Sequence, residues 1–180
     1  MNNNVLTKKE LAKLAVETYV TTGNVPDVLE SQIPESLKKR LACFVTVYVN
    51  KNLRGCIGTI EPVGSLYRSI IHNAVAAASE DFRFPSITKG ELPDLSVEVS
   101  VLSPMRPYQF KNKEDLLTYL RKNKPGLVLE KHGAKALFLP QVWEELPDPV
   151  EFLANLSVKA GLNPHDWENN TRFWVFTADV

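Results

Sequence analysis

The chain of 180 residues fits one domain of ordinary size or two small subdomains, and with 44% hydrophobic and 23% charged residues it has the composition of a folded globular protein rather than a disordered one. Lys plus Arg and Asp plus Glu both number 21, so no net positive charge exists to hold a phosphate backbone, and nucleic acid is excluded as the expected partner. No apolar run reaches the roughly 18 to 20 residues that span a bilayer, and Met1-Asn2-Asn3-Asn4 lacks the charged and apolar regions of a signal peptide, so the expected location is the cytoplasm, away from membranes.

Thr7-Lys8-Lys9-Glu10 reads as a capping box that opens a helix, with Leu11, Leu14, Ala15, Thr18 and Tyr19 on one face and Gly23 at its end. Pro26 and Pro34 make residues 24 to 40 a loop with one short turn. Ala42 to Val49 is rich in β-branched and aromatic residues and predicts a strand, paired through a turn at Asn50-Lys51-Asn52 with a second strand at Leu53 to Ile60. Ser65 is placed to cap a second helix reaching about Ser79, whose apolar half includes Leu66, Ile70, Ile71, Ala74 and Val75. Arg68, Ser69, His72, Asn73, Ala76 and Glu80 occupy its other half. Asp81-Phe82-Arg83-Phe84-Pro85 ends this helix in a turn, since proline drives its predecessor out of helical geometry. Leu95, Val97, Val99 and Val101 alternate with Ser96, Glu98 and Ser100 as a strand with one core face.

Asn112 predicts the start of a third helix that Pro125-Gly126 breaks. Leu127 to Leu129 and Ala136 to Leu139 predict a hairpin around Lys131-His132-Gly133-Ala134. Asp148-Pro149-Val150-Glu151 starts a fourth helix ending at Gly161, and Thr171 to Thr177 predicts an aromatic strand that closes the sheet. Two hairpins demand antiparallel pairing, so the predicted class is α+β, a mainly antiparallel sheet with about four helices. The whole chain forms one domain, with subdomains at about 1–110 and 111–180 sharing a cleft.

The chemistry-bearing stretch is Leu53-Arg54-Gly55-Cys56-Ile57-Gly58-Thr59. Two glycines inside a strand are costly and call for a compensating role. Strict alternation puts Arg54, Cys56 and Gly58 on one face, a guanidinium roughly 6.5 to 7 Å from a thiol with bare backbone around it. The only other cysteine, Cys43, falls out of register with Cys56, so both thiols are expected to be reduced. His72, His132 and His165 are scattered, which leaves no zinc-type ligand set, no catalytic triad and no implied cofactor. Arg54 either binds an anion or pairs with Glu98, and Asp81 and Arg83 form a clamp, at its simplest a local salt bridge, around Phe84.

These residues, with Asp81, Arg83-Phe84-Pro85, Val97-Glu98-Val99-Ser100-Val101-Leu102-Ser103, Leu139-Pro140-Gln141-Val142 and Lys159-Ala160-Gly161-Leu162, resemble the AMMECR family in order and spacing over roughly residues 7 to 178. Prokaryotic members are also called protein A of the AmmeMemoRadiSam system. The resemblance implies two subdomains with the Arg-Gly-Cys segment near a cleft, and as partners a Memo-like protein and a radical S-adenosylmethionine enzyme. Three readings follow. One is an accessory component that binds a partner or small ligand through Arg54, Gly55 and Gly58, with Asp81, Arg83 and Glu98 beside them. Another is an enzyme with Cys56 as a catalytic thiolate activated by Arg54 on a small anionic substrate. The last is a structural subunit in which the motif is only a packing device.

Overall fold

The computed structural model describes residues 5–180. Five α-helices and eight strands follow in chain order: α1 (Lys8–Thr22), α2 (Glu35–Lys38), β1 (Cys43–Val49), β2 (Asn52–Gly58), α3 (Leu66–Ser79), β3 (Leu95–Leu102), β4 (Arg106–Tyr108), α4 (Lys113–Asn123), β5 (Gly126–Lys131), β6 (Ala134–Phe138), α5 (Pro149–Lys159), β7 (Arg172–Phe176) and β8 (Ala178–Asp179). The class is α+β. In place of one sheet there are two of four strands, ordered β2-β1-β3-β8 and β4-β7-β5-β6, and β7 lies inside the second sheet rather than closing it. The chain divides into two compact units, one running to Leu102 with Asp179–Val180 added, the other spanning Ser103–Ala178.

In the first unit β1 pairs antiparallel with both β2 and β3, and its side chains alternate between a buried face (Cys43, Val45, Val47, Val49) and an outer face (Phe44, Thr46, Tyr48). Helix α3 covers the buried face and α1 packs on α3 and β3. The Thr7 capping box forms as predicted, and Gly23 ends α1 at φ 75°. The buried stripe of α1 is Leu11, Ala12, Ala15 and Val16, rotated by one position from the predicted face: Ala12 admits the alanine-rich α3 at close range, while Leu14 is only half-buried.

Because α3 is walled by the sheet on one side and α1 on another, its buried surface is wider than half a wheel. Asn73 and Ala76, predicted on the polar half, are 1% and 3% exposed. Asn73 satisfies its amide by donating to the Cys43 carbonyl at 3.0 Å, which removes the cost of burying it. Ser65 occupies the N-cap position of α3, but its side chain makes no capping hydrogen bond.

The second unit buries Leu116, Leu117 and Leu120 of α4 and Phe152, Leu153 and Leu156 of α5 against Leu127, Leu129, Phe173 and Val175 of its sheet. Each buried aliphatic or aromatic side chain contributes about 1.5–3 kcal/mol relative to exposure. Asn112 accepts from the Asp115 amide, and Asp148 from those of Val150 and Glu151. The β5–β6 hairpin turns on His132 and Gly133, both left-handed, as a primed two-residue turn requires.

Candidate functional site

The hairpin that carries Arg54 and Cys56 turns in two residues, Asn50 and Lys51, both at positive φ, with Val49 opposite Asn52. The predicted turn was one residue longer. The surplus residue sits instead inside β2: Leu53 faces Tyr48 and Gly55 faces Val47, so Arg54 is the extra residue of a β-bulge. Beyond the bulge the ladder resumes with Cys56 opposite Thr46, Ile57 opposite Val45 and Gly58 opposite Phe44.

This register explains both glycines. Gly55 is on the helix side, where a Cβ would lie 1.8 Å from the Ala77 carbonyl oxygen of α3. Gly58 is on the outer side, where a Cβ would lie 2.3 Å from the Phe44 ring and 2.6 Å from the Cys43 carbonyl oxygen. Neither glycine leaves the open space expected beside the thiol. One admits a helix backbone, the other an aromatic ring.

The bulge also separates Arg54 from Cys56. The guanidinium is paired with Glu91 and donates to the Pro85 carbonyl at 3.0 Å, which corrects the expectation that Glu98 is its partner and places it at the edge of β2. Glu98 lies across Thr46 on the far side from Cys56, since Thr46 pairs with Cys56 on β2 and with Glu98 on β3. The Thr46 hydroxyl points at the Cys56 Sγ at 3.3 Å. Burial, followed by the nearby Glu98 carboxylate, pushes the Tyr48 phenol up from its ordinary value.

Asp81, only 4% exposed, is the centre of the adjoining turn. Its carboxylate takes a bidentate pair from Arg83 (2.9 and 2.6 Å) and accepts the Cys56 backbone N–H at 2.9 Å, so it occupies a hydrogen-bonding position on the free edge of the outermost strand. The Arg83 guanidinium, and next to it the Cys56 and Arg83 amides, hold its carboxyl well below the usual carboxylate range. Arg83 lies 5.4 Å over the Phe84 ring. The predicted clamp is therefore a local ion pair that also anchors β2. Phe82, between two residues so firmly tied, is 96% exposed.

Cys56 is half-buried, whereas Cys43 is sealed in the core and burial pushes its thiol up to about 11. His72, His132 and His165 are all exposed, and no group of three potential metal ligands occurs among the described residues. No helix among those residues is long and apolar enough to cross a membrane. The structure thus brings Cys56, Thr46, Asp81 and Arg83 together, leaves Glu98 on the far side of Thr46, and turns Arg54 away to Glu91. Sequence reading missed Thr46, Glu91 and the exposure of Phe82. Thr46 was legible in principle from the hairpin register, but Glu91 was not, because its helical turn (Lys89–Asp94) meets β2 only in the folded chain.

The sequence model of the AMMECR1 family matches residues 9–180. A protein of Methanothermobacter thermautotrophicus is 38% identical over 173 residues, covering 95% of this chain and 90% of the relative. A protein of Thermococcus gammatolerans is 39% identical over 177 residues, covering 94% and 85%. The crystal structure of the uncharacterized protein PH0010 from Pyrococcus horikoshii superposes with a TM-score of 0.85 at 35% identity, covering 95% of this chain and 87% of that one.

Proposed function

The chain belongs to the AMMECR1 family, and from that premise we propose that it is an accessory, partner-binding component of a multi-protein modification system, docking through the Asp81–Pro85 turn and the adjoining edge of β2. The observation that carries this reading is Phe82, 96% exposed on a turn whose backbone is braced by Asp81. A large aromatic held in water gains nothing for folding, while burying it against a partner contributes about 1.5–3 kcal/mol. Arg83 beside it is half exposed, and aromatic and arginine side chains dominate binding hot spots. The proposed partners are a Memo-like protein and a radical S-adenosylmethionine enzyme.

The test is titration of the purified Memo-like and radical enzymes against wild type and Phe82→Ala, with melting temperature as the fold control. Wild type is expected to bind at least one of them, and Phe82→Ala about tenfold more weakly, because about 1.4 kcal/mol is a factor of ten. Equal affinity of the two forms, or no binding of either partner, refutes the reading.

A second reading, Cys56 as a reactive thiolate, is favoured by the Thr46 hydroxyl aimed at Sγ. Activation then falls to Thr46 and the nearby Arg83 charge rather than to Arg54, whose charge is spent on Glu91. An iodoacetamide alkylation rate at neutral pH no faster than that of free cysteine ends this second reading.

A further inference from the structure

At the other end of α3 from the turn, Arg68 and His72 stand one helical turn apart as an exposed ridge between two hollows. The first, about 240 Å³, is lined by Thr59, Val63, Gly64 and Ser69 as well as the ridge, and contains no carboxylate. The second, about 330 Å³, has the apolar wall Val25, Tyr67 and Ile71, and Asp27 also lines it. Both are close to the lower end of the roughly 300–1,000 Å³ range of small-molecule sites.

The polar groups of the first hollow are under-used. Arg68 makes no ion pair among the described residues; its Nε donates to the Tyr67 hydroxyl at 3.0 Å, which fixes the side chain and leaves its remaining N–H groups for another acceptor. The Thr59 hydroxyl is buried without a hydrogen-bond partner. Gly64 has nothing within 4 Å of where a Cβ would stand, so its backbone faces open space. A fixed guanidinium, a histidine, a serine hydroxyl and an open backbone converge in a hollow whose lining holds no carboxylate; the acid that acts on Arg68, Glu30, lies outside that lining.

We propose that this ridge binds a small organic oxyanion, a phosphate or carboxylate head on an apolar body. The head sits in the first hollow against Arg68, His72 and Ser69, and the body lies across the ridge on Tyr67 and Ile71. Asp27 sets the orientation, because an anionic head in the second hollow would meet its carboxylate.

The experiment is a titration of the ¹⁵N-labelled full chain with phenyl phosphate, with inorganic phosphate as a head-only arm and benzyl alcohol as a body-only arm. Phenyl phosphate is expected to bind most tightly and to shift the amides of Gly64, Ser69 and Ile71. Arg68→Gln is expected to weaken it at least tenfold at unchanged melting temperature, and His72→Gln severalfold. Wild-type affinity in Arg68→Gln, shifts confined to other residues, or equal affinity for inorganic phosphate each overturns the proposal. The readouts do not involve Phe82, so its failure and that of the partner-binding reading are separable.

Discussion

Replacing Gly55 by alanine puts a methyl group 1.8 Å from the Ala77 carbonyl oxygen, a backbone atom in the buried last turn of α3. To reach even 3.0 Å, α3 must retreat from β2 by about 1.2 Å, and no side-chain rotation can relieve it. That retreat loosens the contacts of Ile70, Ala74, Ala77 and Ala78 with the sheet, all of them under 4% exposed. Overpacking of this kind costs typically about 1–3 kcal/mol and sometimes more, and the entropy advantage of alanine over glycine returns roughly 0.5–1 kcal/mol. Because the clash is with backbone, the upper end of the overpacking range applies, and the net expectation is a loss of about 2–2.5 kcal/mol, which at roughly 2–4 °C per kcal/mol for a chain of this size lowers the melting temperature by about 4–10 °C. Thermal and urea unfolding followed by circular dichroism, with amide exchange of α3 as the local probe, measures it. Gly64→Ala is the control, since nothing stands within 4 Å there. A Gly55→Ala protein that melts within about 2 °C of wild type, with α3 exchange unchanged, refutes the packing account of this glycine.

Asp81 makes a pH-dependent contribution of definite sign. Its folded carboxyl titrates below the unfolded value of about 3.9, so the stabilisation is complete above about pH 4 and is lost as pH falls toward the folded value. Asp81→Asn is therefore expected to be less stable than wild type at pH 7, with the gap narrowing at pH 3; urea midpoints that keep a constant gap contradict this. Ser157, fully buried in α5 with no partner for its hydroxyl, bears a desolvation cost with no return. Ser157→Ala is expected to be neutral or stabilising by about 1 kcal/mol, and a loss of more than about 1 kcal/mol shows that the hydroxyl is bonded after all.

Most helix starts and strand periods are legible where neighbouring residues decide them, although Ser65 makes no capping hydrogen bond and the Asn50-Lys51 turn is one residue shorter than expected. The Thr7–Glu10 box, the Asn112 and Asp148 caps, and the alternation of Leu95 to Val99 all depend on residues within a few positions of one another, and each appears in the structure; the alternation breaks beyond Val99, where Ser100 is buried and Val101 only half-buried. The remaining differences come from partners distant in sequence. Asn73 and Ala76 read as polar-face residues because a wheel knows nothing of α1 on the far side of α3, and Arg54 was assigned to Glu98 because nothing local marks Glu91 as its neighbour. At the motif itself, identity was legible but purpose was not. The glycines announce a close approach, and only the register tells which backbone or ring makes it.

The surplus residue in β2 gives the hairpin its parity. With a two-residue turn and an unbroken ladder, Val47 would face Arg54 and Val45 would face Cys56, which turns the cation and the sulfur inward onto α3 and exchanges the faces of the two glycines, Gly55 outward and Gly58 inward. The inserted link reverses that assignment for every position from Gly55 onward. Shortening the hairpin by one residue between the turn and Gly55, without a compensating insertion, would therefore turn the motif inside out while leaving each letter of it in place: chain length here carries as much information as composition.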